Sequence, residues 1–151
     1  MKMKRQSGAG LLLLGVLGLL MAAPLQAKEC YSPDARSRER AFSRAVITEG
    51  GKTIWLAGQT ASDAKADFEG QVREVFASID KTIRAVGGTG LADMVTMTVF
   101  INDNTMGDRF VKIRQEVFRE CFPASALITV TGFARPGLLV EVQGIAVVGG
   151  R

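Results

Sequence analysis

Apolar residues recur at three- and four-residue steps from Asp67 to Val86, which gives this segment one continuous apolar face. The residues on that face are Phe68, Val72, Val75, Phe76, Ile79, Ile83 and Val86. Asp67 is suited to cap the first turn, and Gly87 followed by Gly88 is suited to end the last one. The pattern predicts one long amphipathic helix in the middle of the chain.

A second helical pattern follows Thr105. Thr105 and Asp108, three residues apart, resemble a capping pair at a helix start. The same spacing rule then puts four apolar residues on one side: Phe110, Ile113, Val117 and Cys121. We therefore predict a second helix that begins near Thr105 and includes Cys121.

The remaining apolar runs are short and rich in β-branched residues, which is typical of strands. Phe42 to Thr48 and Thr53 to Ala57 flank a Gly-Gly pair, which predicts a tight hairpin. Met94 to Ile101 predicts a strand with apolar residues on both faces. Two more strands lie near the C-terminus and are joined by a short turn at 133–137.

The order of these elements is β-β-α-β-α-β-β, in a single domain without repeats or linkers. One sheet with two helices on one face is the natural packing of such an order, so the expected fold class is α+β. The strand from Met94 to Ile101 is apolar on its second face too. We therefore expect other subunits to bury the face of the sheet that the helices leave open.

The first residues have the pattern of a secretory signal peptide: a basic start, an apolar run from Leu11 to Met21 and a small residue at Ala27. We predict a signal peptide at 1–27, a flexible arm at 28–41 and a folded domain at 42–151, in a secreted or periplasmic protein. A membrane-anchored structural protein, with this segment uncleaved, is the alternative.

Charge gives no reason to expect a nucleic-acid partner. The chain has 19 Lys and Arg against 15 Asp and Glu. Three of the basic residues, Lys2, Lys4 and Arg5, lie in the predicted signal peptide. Without them the two signs nearly balance, so the chain has no basic surplus for phosphates to attract.

The chain has two cysteines and no histidine. In an oxidising compartment Cys30 and Cys121 could pair, whereas the alternative is that Cys121 is simply a buried apolar residue. The absence of histidine excludes histidine metal sites and histidine-assisted nucleophiles. We expect chemistry carried by carboxylates, hydroxyls and basic side chains, with no metal and no cofactor.

Four ordered motifs resemble the RidA/YjgF family of reactive-intermediate (enamine and imine) deaminases. They are Ala57-Gly58-Gln59, the strand Met94 to Ile101, Phe122-Pro123-Ala124 and the last strand from Val140 to Ala146. The resemblance covers roughly 42–148. It implies a chorismate-mutase-like fold and a homotrimer that binds small molecules in clefts between its subunits.

The resemblance also implies roles for individual residues. In the family an arginine after F-P-A holds the substrate carboxylate, and a glutamate on the last strand activates water. Glu141 matches that glutamate, Ser125 stands in the arginine position, and Phe42 replaces the usual cleft tyrosine. Gln59 is a further candidate ligand contact.

A cation from elsewhere in the chain could replace the missing arginine. Arg44 and Arg114 are the candidates for that role, although each is also an ordinary surface residue by type.

Two functions remain open on the sequence. The first is an enamine or imine deaminase with an altered substrate range, for which the loss of the arginine predicts weak turnover of 2-iminoacids. The alternative is a non-catalytic trimer that retains the fold and binds small molecules or acts as a chaperone.

Overall fold

The computed structural model describes residues 28–149. A four-stranded mixed sheet forms the centre, with the strands in the order β3-β6-β4-β5, and a separate two-stranded sheet pairs β1 with β2. The elements are β1 Glu29–Tyr31, α1 Ala35–Glu39, β2 Ala45–Ile47, β3 Lys52–Thr60, α2 Phe68–Ala85, β4 Met94–Ile101, α3 Gly107–Phe118, β5 Ala124–Thr129 and β6 Val140–Val148.

The α+β class is confirmed, with the two long helices α2 and α3 packed on one face of the central sheet. The last strand, β6, lies between β3 and β4 and runs antiparallel to both. The edge strand β5 runs parallel to β4. The two C-terminal strands are therefore not neighbours, because β4 separates them.

The central helix follows its sequence pattern closely. The Asp67 side chain accepts a hydrogen bond from the backbone N–H of Gly70 at 2.8 Å, which satisfies one of the donors that a helix start leaves free. The helix ends at Ala85, and Gly87 follows with a positive φ of 97°. This left-handed conformation favours glycine.

The start and end of α3 differ from the prediction. Asp103, rather than Thr105, supplies the capping acceptor, because its carboxylate takes the N–H of Thr105 at 2.8 Å and opens a short 3₁₀ turn before α3. The helix itself begins at Gly107 without a side-chain cap. It ends at Phe118, so the prediction that Cys121 lies on this helix was wrong.

The predicted hairpin between the first two strands was also wrong. The strand expected at 42–48 shortens to β2, which pairs antiparallel with β1 rather than with β3. The longer β3 pairs instead with β6 along most of its length. A pairing between distant segments that buries apolar side chains has overridden the local turn signal.

The segment 28–41, which we expected to be a flexible arm, instead contains β1 and α1. A disulfide joins Cys30 in β1 to Cys121 just after α3, with their Cα atoms 5.6 Å apart. The Asp34 side chain caps α1 by accepting the N–H of Ser37 at 2.8 Å. The segment is thereby fixed against the start of β5.

The core lies between the helices and the sheet. On β4, Met97, Val99 and Ile101 are buried beneath the helices, while the alternate residues point to the open face. That open face carries exposed apolar side chains, including Trp55 at 78% and Ile128 at 44% exposure. Its burial by other subunits stays a prediction.

One buried polar residue, Gln71 on α2, fixes the loop that leads into β6. Its amide nitrogen donates to the carbonyl oxygens of Ala66 and Gly137, both at 3.0 Å. Its amide oxygen accepts the N–H of Leu139 at 2.9 Å. All of these side-chain bonds go to backbone groups. Gln71 therefore satisfies donors and acceptors of a buried loop that would otherwise need water.

Within residues 28–149, no helix is long and apolar enough to cross a membrane. The predicted signal peptide at 1–27 lies outside the described residues.

Candidate functional site

Ser125 and Arg114 meet in one cavity. The Nη1 atom of Arg114 donates to the Ser125 hydroxyl at 2.6 Å, and Nη2 donates to the carbonyl oxygen of Arg40 at 2.5 Å. The cavity has a volume of about 270 Å³. Its walls are Arg36, Arg40, Phe42, Val111, Arg114, Ser125 and Leu127. We call it the arginine cavity.

The elements around the arginine cavity are held together by backbone contacts. Ser43 forms an isolated parallel bridge with Ala124, and its hydroxyl donates to the carbonyl oxygen of Phe122 at 2.5 Å. This contact brings Phe42 beside Ser125 at the start of β5. The structure thus unites three of the predicted site residues, Phe42, Arg114 and Ser125, in one place.

Arg114 is a buried cation without an acidic partner among residues 28–149. Only 3% of the residue is exposed, and its Nε has no hydrogen-bond partner there. Burial, with a smaller contribution from the charge of Arg40, lowers the pKa of Arg114 to about 10. The group is therefore still charged at neutral pH, at an energetic cost that a bound anion would relieve.

The sequence does carry a signal for this arginine. Arg114 lies four residues after Phe110 and three before Val117, and so falls within the apolar stripe of α3. A charged residue at a core-facing position is uncommon. Its guanidinium also lies 5.3 Å from the centre of the Phe110 ring, which provides a favourable cation–π contact.

Arg44, the other candidate cation, does not line the arginine cavity. Its Nε donates to the Asp34 carboxylate at 2.9 Å, and its side chain is half exposed. This contact is the main reason that the pKa of Asp34 is lowered. Arg44 also stacks over the outer side of Phe42, 5.4 Å from the ring centre.

Arg36 and Arg40, which line the arginine cavity, were missed because they lie in the segment expected to be a flexible arm. Asp34 followed three residues later by Ser37 could have indicated a helix start there. Arg40 makes an ion pair with Asp108, in which the carboxylate is largely exposed. Arg36 makes no side-chain hydrogen bond within the described part of the chain.

Glu141 lines a second cavity, of about 250 Å³, which we call the glutamate cavity. Its other walls are Phe100, Val130, Gly132, Phe133 and Ala134. The Glu141 carboxylate lies against Gly58, where a Cβ atom would come within 2.0 Å of Oε1. No group in the described residues donates a hydrogen bond to this carboxylate or forms an ion pair with it.

Gln59 belongs to neither cavity. Its amide oxygen accepts a hydrogen bond from the Ser78 hydroxyl at 2.8 Å, which ties β3 to α2. A register shift between Leu56 and Gln59 marks a bulge in β3 at this point. The contact gives Gln59 a structural role at the end of the strand.

The two cavities lie on opposite faces of the central sheet. Ser125 pairs with Met97, which is buried beneath the helices, whereas Glu141 pairs with Phe100 on the open face. Paired residues on adjacent strands point to the same face. One chain therefore does not bring Ser125 and Glu141 together, and the cleft between subunits that the resemblance implied for them stays a prediction.

No metal-binding cluster of three or more acidic, cysteine or histidine residues occurs within 28–149. The protein thus has an α+β fold with a cation beside the edge strand of its sheet and a carboxylate on its last strand. Comparisons with known proteins identify the family to which this fold belongs.

The sequence model of the family described as Endoribonuclease L-PSP matches residues 33–148. Protein DfrA of Myxococcus xanthus is 30% identical over 130 residues, which cover 80% of this chain and 95% of that protein. A RutC family protein of Pyrococcus horikoshii is 28% identical over 111 residues, covering 70% and 85%.

Solved structures agree. A member of the Rid protein family from Yersinia pestis has a TM-score of 0.73 at 24% identity, covering 82% of this chain and all of that one. A YjgF/YER057c/UK114 family member from Mycobacterium tuberculosis has a TM-score of 0.60 at 26% identity, covering 80% and 99%. The chain therefore belongs to the RidA/YjgF family.

Proposed function

We propose that this protein hydrolyses the C=N bond of small imines, and of enamines after their tautomerisation, and releases ammonia. The observation that carries the proposal is the Glu141 carboxylate, which has no hydrogen-bond or ion-pair partner among residues 28–149 and lines a cavity at the position of the family's water-activating glutamate. A carboxylate that is not engaged by other side chains can contact a water molecule as a general base.

The proposed chemistry needs one general base and one water molecule. Glu141 accepts a proton from water while the water oxygen attacks the carbon of the protonated imine, which gives a neutral carbinolamine. Glu141 then returns this proton to the amine nitrogen, the C–N bond breaks to release ammonia, and the carbinolamine hydroxyl passes its proton back to Glu141 to leave a carbonyl group. Glu141 finally gives that proton to solvent. Phe100 and Phe133 provide apolar walls against which a small substrate can pack.

A complete site requires two copies of the chain under this proposal. The arginine cavity faces the helix side of the sheet and the glutamate cavity faces the open side, so each copy supplies one half to a neighbour. The exposed apolar side chains on the open face supply a reason for the copies to associate. We therefore propose a homotrimer with a composite site at each interface.

The test is the rate of ammonia release from imines that an amino-acid oxidase generates in situ, measured above the spontaneous rate. We expect Glu141→Gln to lower kcat at least about a hundredfold, as loss of a general base does. Glu49→Gln, which alters an exposed glutamate in the turn before β3, is the matched control and should leave the rate unchanged. An unchanged rate for Glu141→Gln would refute the proposal.

The second candidate function is binding without catalysis. It is favoured by the separation of the two cavities within one chain. Its signature is an unmodified protein that binds small ligands but does not accelerate imine hydrolysis. The ammonia assay on the unmodified protein, combined with a binding measurement, separates the two functions.

A further inference from the structure

The arginine cavity collects positive charge without any acid in its walls. Three arginines line it, Arg36, Arg40 and Arg114, and no aspartate or glutamate does. Asp108 compensates Arg40 in part, from an exposed position on α3. Charge of one sign on the walls of a cavity attracts ligands of the opposite sign.

The deepest of these groups is already oriented. The contacts of Arg114 with Ser125 and with the Arg40 carbonyl fix the plane of its guanidinium, and Phe110 supports it from within the core. A guanidinium carries more N–H donors than these two bonds use. A fixed guanidinium fork of this kind suits a planar carboxylate, which can accept two parallel hydrogen bonds.

The other two arginines, Arg36 and Arg40, come from the N-terminal part of the described chain. Arg36 is exposed and Arg40 is partly exposed, and both belong to the segment of α1. They line the same cavity as Arg114, so a second anionic group on a ligand held at Arg114 would lie within a positively charged cavity. Phe42, Val111 and Leu127 provide apolar contacts there.

We infer that the arginine cavity binds a small dicarboxylate, with one carboxylate on Arg114 and the second near Arg36 and Arg40. The inference rests on the proposed function in that it names the substrate class, a dicarboxylic imine, for the same composite site. The inference differs from the role predicted for Ser125 in two ways. The cation that anchors the ligand comes from α3, and the cavity recognises a second anionic group.

The test is binding of stable keto acids to the unmodified protein by titration calorimetry, which requires no turnover. Three ligands of equal chain length form the series: 2-oxopentanedioate, 2-oxopentanoate and 2-oxopentanamide, with inorganic phosphate as a fourth probe. We expect the dicarboxylate to bind about two- to fivefold more tightly than the monocarboxylate, the range that an exposed ion pair provides. The amide should not bind measurably.

Substitutions assign the two ends of the ligand. Arg114→Gln should weaken both acids by about thirtyfold or more, as removal of a buried charged partner does. Arg36→Gln should reduce the advantage of the dicarboxylate over the monocarboxylate and leave monocarboxylate binding unchanged. Lys81→Gln, which removes an exposed cation on α2 outside the cavity, is the matched control and should change neither affinity.

Several outcomes would overturn the inference. These are equal affinity for the two acids, tighter binding of phosphate than of the dicarboxylate, or full binding by a folded Arg114→Gln variant. If Arg114→Gln does not fold, the ligand series and Arg36→Gln still decide the matter. These binding measurements require no turnover, so failure of the catalytic proposal leaves this result intact, and the reverse holds as well.

Discussion

Removal of the disulfide between Cys30 and Cys121 should lower the stability of the fold substantially. The bridge closes a loop with a sequence separation of 91 residues, which includes α2, α3 and two strands of the central sheet. The chain-entropy relation for a loop of this length gives about 4.6 kcal/mol at 25 °C, and measured effects of disulfides are typically about 2–4 kcal/mol. We therefore expect the double variant Cys30→Ala/Cys121→Ala to lose about 2–5 kcal/mol.

The assay is urea unfolding of oxidised protein at one fixed concentration, because association also changes apparent stability. With a slope of about 1.5 kcal/mol per molar, a loss of 3 kcal/mol moves the midpoint down by about 2 M. Unmodified protein treated with a reductant should unfold with the same midpoint as the double variant. The double variant itself should not respond to the reductant.

The reasoning would be refuted if the double variant and the oxidised unmodified protein unfolded at the same urea concentration. That result would mean that β1 and α1 hold their positions without the bridge. A second readout follows from the position of α1, which carries Arg36 and Arg40. If the bridge fixes this segment, its removal should also weaken dicarboxylate binding.

Three further predictions concern the buried Gln71, the Glu141 carboxylate and the oligomeric state of the protein. Gln71→Leu leaves its backbone partners without a side-chain bond and should cost about 3 kcal/mol in urea unfolding; a loss below about 1 kcal/mol would contradict the role we assign to it. Gly58→Ala should displace the Glu141 carboxylate, since the added Cβ would meet Oε1 at 2.0 Å, and lower imine hydrolysis about tenfold with little change in stability. Light scattering of the protein at micromolar concentration should give the mass of a trimer, and a stable monomer would exclude the composite site.

The spacing of apolar residues was enough to locate those helices and strands whose stabilising contacts lie within one segment or along one face of that segment. The apolar stripe from Phe68 to Ile83 and its Asp67 cap correspond to α2, and the run from Met94 to Ile101 corresponds to β4. Each depends on a repeat that the chain itself displays. The order of the elements then indicated the α+β class, and the family motifs indicated the chorismate-mutase-like fold.

Strand partners were not predictable in the same way. The Gly-Gly turn at 50–51 favoured a local hairpin, yet β3 pairs with a strand that lies more than eighty residues further along the chain. Local turn propensity carries no information about which distant segment offers the better apolar face. The same reason explains why the ordered structure of the segment 28–41 was not predicted. That structure depends on Cys121 and on the start of β5, which are distant in the sequence.

The candidate site could be predicted in its residues but not in its arrangement. Arg114 was one of two arginines that could replace a missing cation, and only the packing of α3 against β5 distinguishes it from Arg44. The resemblance implied that Ser125 and Glu141 belong to a cleft between subunits, without saying which chain supplies each residue. Strand register places them on opposite faces of the sheet.

The central position of β6 has a consequence for the order in which the protein can be made. Among the strands that the structure describes, β6 leaves the ribosome last, and it joins β3 to the pair β4 and β5. Until residues 140–148 have emerged, the central sheet exists only as unconnected parts, and β3 lacks its strand partner in that sheet. Folding of the domain is therefore postponed until β6 has been made, and a chain truncated before Val140 should be degraded rather than accumulate as a partly functional protein.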